Sequence, residues 1–216
     1  MQETQTTALL QLNGPAPDFE AKTTHGVLKL SEWQPDKWVI LFSHPADFTP
    51  VCTTEFMAFA NMQDEFDKRN VALLGNSIDS VHSHIAWVRN IKQTFGVDIK
   101  FPIIADLDMK VASRYGMVHE ASSDTAAIRA VFVIDPKRTV RAMIYYPLNV
   151  GRQFDEILRL VDALQTADEH GVACPANWTP GEDVIVPPPA TAEEAEARAN
   201  DPELTVSEWY FAKKSL

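Results

Sequence analysis

Hydrophobic positions recur along the chain in two rhythms. Trp38-Val39-Ile40-Leu41-Phe42-Ser43 is a short continuous apolar run, the pattern of a strand buried on both faces. Phe56, Phe59, Ala60 and Phe66 then follow at helical spacing, with Gln63, Asp64, Asp67 and Lys68 turned outward. A second buried strand is predicted from Val71 to Ile78, a further helix from Val81 to Phe95, and a third strand at Pro102-Ile103-Ile104-Ala105. Ile128 to Ile134 and Val140 to Tyr146 read as two more strands around the turn Asp135-Pro136-Lys137-Arg138. Phe154, Ile157, Leu158, Val161 and Leu164 keep a 3.6-residue period, and Gly171 supplies an end signal after that helix.

Strands alternating with helices, then a strand pair and a last helix, predict an α/β sandwich with a thioredoxin-like fold. Gly14-Pro15-Ala16-Pro17-Asp18-Phe19 punctuates its entry. Composition changes at Val186-Pro187-Pro188-Pro189, followed by a short Ala/Glu-rich helix (Thr191 to Asn200) and an arm ending in Trp209-Tyr210-Phe211. Three adjacent aromatics with little core of their own are expected to pack on the domain or on a second subunit. The organisation expected is a main domain over residues 1–167 and a C-terminal extension with a dimerisation arm over 168–216. No internal repeat is visible.

Composition narrows the function. Hydrophobic residues make up 45% of the 216 and aromatics 9%, enough for a full core. The formal net charge is −11. An acidic surface argues against nucleic acid or an anionic membrane as a partner, because phosphate binding needs clustered Lys and Arg. The N-terminal MQETQTTALLQLNG has neither a basic n-region nor a sustained apolar run, and no stretch approaches bilayer-spanning length. Two cysteines make no disulfide framework. The reading is a cytoplasmic protein with reduced thiols.

One of those cysteines stands in LFSHPADFTPVCTTEF, residues Leu41 to Phe56. Pro50 and Thr49 precede the apolar helical period, so Cys52 is expected in the helix's first turn. Unpaired backbone N–H groups and the positive dipole end lie there, and both favour a thiolate. Thr49 adds a hydroxyl placed to hydrogen-bond sulfur or a bound substrate, and Pro50 pre-sets the backbone at the helix entry. A cysteine used as a small apolar residue is the alternative that position leaves open.

The whole string resembles the active-site loop of the peroxiredoxins, whose core pattern is P-x-x-x-T-x-x-C: here Pro45-Ala46-Asp47-Phe48-Thr49-Pro50-Val51-Cys52-Thr53-Thr54-Glu55. With the preceding Ser43-His44 it is most similar to the 1-Cys branch. The resemblance continues through Ser83-His84-Ile85-Ala86-Trp87, Arg129-Ala130-Val131-Phe132-Val133-Ile134, Tyr146-Pro147 and Gly151-Arg152, over nearly the whole chain. It implies that Cys52 is the peroxidatic cysteine, with Pro45, Thr49 and Arg129 completing its pocket. His44 and Arg152 would be further substrate-binding residues, with Glu55 orienting the arginines. Periodicity does not single out Arg129, and a histidine at a strand end also suits a hydrogen-bonded structural role.

The activity implied is thiol-dependent reduction of hydrogen peroxide and organic hydroperoxides through a cysteine sulfenic acid, without metal, haem or flavin. Lowering a thiol pKa from about 8.5 to about 6 raises the thiolate fraction at pH 7 roughly 30-fold. The accompanying loss of nucleophilicity is roughly tenfold, leaving a net gain of about threefold. Activation of the peroxide by Arg129, Thr49 and the Cys52 N–H is expected to supply the rest.

The second cysteine departs from a strict 1-Cys pattern. Gly171-Val172-Ala173-Cys174-Pro175-Ala176-Asn177-Trp178 resembles the V-C-P-x-x-W segment of typical 2-Cys peroxiredoxins, which implies a resolving Cys174 and an intersubunit disulfide. A structural cysteine in a 1-Cys frame is the other reading. The resemblance further implies a thioredoxin-like or small-thiol reductant and a homodimer that assembles into a decameric ring. A lipase-like G-x-S-x-G segment found in some 1-Cys relatives is missing at Pro35-Asp36-Lys37-Trp38-Val39, so no phospholipase activity is expected. A thiol–disulfide oxidoreductase would use C-x-x-C, whereas Thr49 stands three residues before Cys52. A redox sensor or holdase would keep the same residues; turnover of peroxide with a thiol reductant separates it from an enzyme.

Overall fold

The structure, a computed structural model, describes residues 10–123 and 125–216. Residues 1–9, on which most of the N-terminal reading rests, lie outside the described part. The chain divides into two compact units, Met1–Phe154 and Asp155–Leu216.

In the first unit a seven-stranded mixed sheet runs in the order β2-β1-β5-β4-β3-β6-β7. The strands are β1 (Glu20–Thr23), β2 (Gly26–Lys29), β3 (Trp38–Ser43), β4 (Val71–Ser77), β5 (Ile103–Ala105), β6 (Arg129–Ile134) and β7 (Val140–Tyr146). Every residue of β3, β4 and β6 is buried, because these strands occupy the middle of the sheet; β2 and β7, at its edges, keep exposed positions. β3, β4 and β5 are mutually parallel neighbours, while β6 lies antiparallel to β3 and β7 antiparallel to β6. Here Arg129 pairs with Tyr146 and Phe42 with Val131, so the C-terminal end of β3 meets the N-terminal end of β6. That junction carries the site.

The helices of this unit are α1 (Pro50–Asn61), α2 (Gln63–Lys68), α3 (Val81–Phe95) and α4 (Lys110–Arg114). The expected run through Phe66 is thus two helices. Their apolar stripe is continuous in sequence, but Met62 leaves helical geometry at φ −98°, ψ 8°. α3 matches its expected limits because both ends are signalled: Ser80 Oγ accepts from the Ser83 N–H, and Gly96 takes the left-handed conformation at φ 73°. The β1–β2 hairpin and α4 were not anticipated. The hairpin turns at Gly26, whose φ of 101° suits glycine.

The second unit holds α5 (Phe154–His170, whose first residue closes the preceding unit), α6 (Ala192–Arg198) and a three-stranded antiparallel sheet. The strands are β8 (Val184–Val186), β9 (Thr205–Glu208) and β10 (Phe211–Lys214), in the order β8-β10-β9. Gly171 ends α5 at φ 61°, and a Thr191/Glu194 capping box starts α6. The terminal arm therefore has a framework of its own: β10 pairs with both neighbours, burying Ala212 and Val184. Trp209 and Tyr210, at the β9–β10 turn, are 51% and 55% exposed. Hairpin pairing, not aromatic burial, orders the segment.

Candidate active site

β3 ends at Ser43, and residues 44–49 carry the chain into α1. Thr49 is the N-cap in extended conformation, Pro50 opens the helix, and Cys52 lies in its first turn. The first intrahelical bond runs from the Thr53 N–H to the Thr49 carbonyl, so the N–H groups of Val51 and Cys52 precede the ladder. Cys52 is a free thiol with no exposed surface.

Arg129, at the start of β6, reaches this sulfur. Its Nη1 donates to Cys52 Sγ at 3.2 Å and to Glu55 Oε2 at 2.7 Å; Nε and Nη2 donate to the Leu148 carbonyl at 2.9 and 2.7 Å. The residue is only 3% exposed, which removes the solvated-cation reading. Glu55, one turn after Cys52 on α1, holds the second arginine as well. Its Oε1 accepts from the Arg152 backbone N–H at 3.0 Å and lies 3.6 Å from Arg152 Nε. Arg152 Nη2 donates to the Ser43 carbonyl, and the guanidinium sits 5.4 Å from the Phe42 ring centre. Its Nε and Nη1 have no hydrogen-bond partner among the described residues. Burial lowers the Arg152 pKa to about 10, against the pull of Glu55 and with Arg129 adding to the lowering.

Thr49 does not turn its proton to the sulfur. Its hydroxyl donates to the Ala46 carbonyl at 2.9 Å, closing the loop on itself, and leaves oxygen lone pairs for a donor such as a peroxide O–H. Pro45 is half-buried at the beginning of the loop. His44 is fully buried and turns to Asp47 (Nε2 to Oδ1, 2.9 Å), between the rings of Phe56 and Trp87. Burial lowers its pKa, outweighing the carboxylate of Asp47.

Asp47 also meets His84 of α3, whose Nδ1 lies 2.8 Å from Oδ2 and 3.0 Å from Oδ1. Burial alone would raise the Asp47 carboxyl, but hydrogen bonds with the two histidines hold it well below the carboxylate range. Sequence reasoning assigned no role to Asp47 or His84, although both fall inside the motifs quoted above.

In the second unit, Cys174 is half-buried and its thiol donates to the Ala163 carbonyl at 3.4 Å. It packs beside Val172, Trp178 and Val184. Burial raises its pKa, with Arg159 pulling the other way.

A cysteine in the first turn of a helix, facing a buried guanidinium on a thioredoxin-like sheet, defines a class of thiol-redox proteins. The AhpC/TSA family matches residues 12–143, and the C-terminal domain of 1-Cys peroxiredoxin matches residues 163–201. A peroxiredoxin of Aquifex aeolicus is 55% identical, covering 97% of this chain and 98% of its own length. Among solved structures, a yeast mitochondrial 1-Cys peroxiredoxin is 43% identical with a TM-score of 0.85, covering 96% of this chain and 100% of that one. Peroxiredoxin 6 of Arenicola marina, as a cysteine-to-serine variant, is 38% identical with a TM-score of 0.86, covering 95% and 98%. The chain belongs to the peroxiredoxin family and is a thiol-dependent peroxidase. Among the described residues, no helix is long and apolar enough to cross a membrane.

Proposed function

We propose that Cys52 is the peroxidatic nucleophile for hydrogen peroxide and organic hydroperoxides. The observation that carries this reading is Arg129 Nη1 at 3.2 Å from a sulfur seated at a helix N-terminus. The thiolate attacks the terminal peroxide oxygen; the S–O bond forms as the O–O bond breaks. Cys52 becomes a sulfenic acid, and the departing alkoxide takes a proton from solvent to leave as water or alcohol. Negative charge spreads over both oxygens in the transition state, where the Arg129 guanidinium and the Cys52 N–H stabilise it. Thr49 and Pro45 shape the approach, and Glu55 and Arg152 keep Arg129 aimed.

Cys174 then attacks the sulfenic sulfur, releasing water and forming an intersubunit disulfide, and an external dithiol such as thioredoxin restores both thiols. Its C-P-x-x-W setting, Cys174-Pro175-Ala176-Asn177-Trp178, supports this step, although Ala173 stands where the 2-Cys segment has valine. The yeast mitochondrial relative has a thiol resolving mechanism via glutathione/thioredoxin systems, which supports recycling by such reductants. The resemblance supports a homodimer, further assembled as a decamer, and the reading of its two cysteines as reduced thiols supports action in the cytoplasm.

A second reading is favoured by the Cys174 thiol's bond to Ala163 and by the match of its segment to a 1-Cys domain. In it, Cys174 is structural and an external thiol reduces Cys52 directly.

Stopped-flow oxidation of the reduced protein by hydrogen peroxide tests the main claim. Cys52→Ser should abolish the fast phase. Arg129→Ala and Thr49→Val should slow it by more than any change in thiolate fraction accounts for. Equal rates at matched thiolate content would remove both residues from the proposed mechanism.

A further inference from the structure

The loop that delivers Cys52 has unfavourable backbone geometry. Phe48 takes φ 55°, in the left-handed region where a bulky side chain is disfavoured, and its ring is 56% exposed. Burial of the ring therefore does little to hold this conformation. The residue just before it does the holding: the Asp47 N–H donates to Asp79 Oδ2 at 3.0 Å, and its carboxylate is gripped by His44 and His84. His44 comes from the end of β3 and His84 from α3, both with no exposed surface. On the far side of Phe48, the Thr49 hydroxyl closes on Ala46, and the Thr49 carbonyl starts the α1 ladder.

The clamp is closed on every side that the described residues offer. His84 Nε2 lies 3.0 Å from the Ile104 carbonyl, which only accepts, so Nε2 donates there and Nδ1 is turned to the Asp47 carboxylate. His44 Nε2 lies 2.9 Å from Asp47 Oδ1, and its Nδ1 has no hydrogen-bond partner among the described residues.

We infer that Asp47, clamped between the buried rings of His44 and His84, is a positioning residue for peroxide reduction, holding the Phe48 turn that aims the first turn of α1. This rests on Cys52 being the nucleophile. Asp47 touches neither sulfur nor substrate; it acts through the backbone of Phe48 and Thr49.

Asp47→Asn keeps the side chain's shape but removes the charge that both imidazoles share. In the full-length reduced protein it should slow oxidation by hydrogen peroxide about tenfold, the factor that releasing one left-handed residue corresponds to. Adding Phe48→Gly should restore most of the lost rate, because glycine holds the left-handed turn without the clamp. A merely destabilising Asp47→Asn would not be rescued by that change. An Asp47→Asn rate within twofold of wild type overturns the inference, as does a slow double variant. Loss of peroxide reactivity in Cys52→Ser together with a normal Asp47→Asn rate sinks this inference alone; unchanged reactivity in Cys52→Ser sinks the assignment of the nucleophile.

Discussion

Glu55 is the residue on which the proposed site's electrostatics turn, and Glu55→Gln tests it with the least change of shape. In the native site one carboxylate, 2% exposed, receives Arg129 Nη1 at 2.7 Å and the Arg152 N–H at 3.0 Å. The side chains of Arg129 and Arg152 are 4% and 0% exposed, so neither cation has water to fall back on. Breaking a buried pair by neutralising one partner costs about 3–5 kcal/mol, because the remaining charge stays desolvated. Glutamine adds to this by turning an N–H₂ toward one of two donors. Urea unfolding of the reduced protein, followed by tryptophan fluorescence, should show a midpoint lower by about 1–2.5 M for a slope of about 2–3 kcal/mol/M. The peroxide rate should fall as well, though by less than in Arg129→Ala, because the Leu148 carbonyl still holds Nε and Nη2. A stability loss below about 1 kcal/mol would refute the reasoning, since it would mean that the two guanidinium groups never depended on this carboxylate.

Three further outcomes are expected. Losing the Arg129 donor should reduce the peroxide rate constant about 10²- to 10³-fold, the range for one transition-state donor, as read by stopped-flow on Arg129→Ala. Stability should decline on acidification in two stages. Burial lowers the His44 pKa, so below about pH 6.5 the unfolded chain takes up a proton that the folded chain refuses. The depressed Asp47 carboxyl adds a loss below about pH 4; His44→Gln should remove the first stage in pH-dependent unfolding. Non-reducing electrophoresis after one equivalent of peroxide should show a Cys52–Cys174 linked dimer that disappears in Cys174→Ser. A monomeric sulfenic acid in the wild type would instead favour the structural role for Cys174.

The middle of the sheet was legible because β3, β4 and β6 are buried on both faces and so carry continuous apolar runs at 38–42, 71–74 and 130–134, a pattern that needs no knowledge of their partners. α3 was legible through its signalled ends, Ser80 and Gly96. The break at Met62 was not, since Phe59 and Phe66 keep facing the core through it. The C-terminal sheet escaped because its strands are three or four residues long and pair across intervening segments. At the site, standing after Thr49-Pro50 placed Cys52 in the first turn of a helix but left a small apolar role open; family resemblance decided its reading, and it alone brought out Arg129, one cation on a strand. Asp47 and His84 are 37 residues apart, and only the fold brings them within 2.8 Å. Spacing along a chain carries no trace of such a meeting.

The complete enclosure of Cys52 bears on timing. On the proposed assignment of Cys52, a sulfur that presents nothing to the solvent calls for brief openings of the protein around it during turnover. A peroxide is close to water in size and would need only a slight parting of neighbours. A second thiol on a polypeptide, if that is what resolves it, would need room for a whole strand of chain. Oxidation and recovery of the same atom would then call for openings of very different extent, and the wider one would set how long the oxidised sulfur lingers.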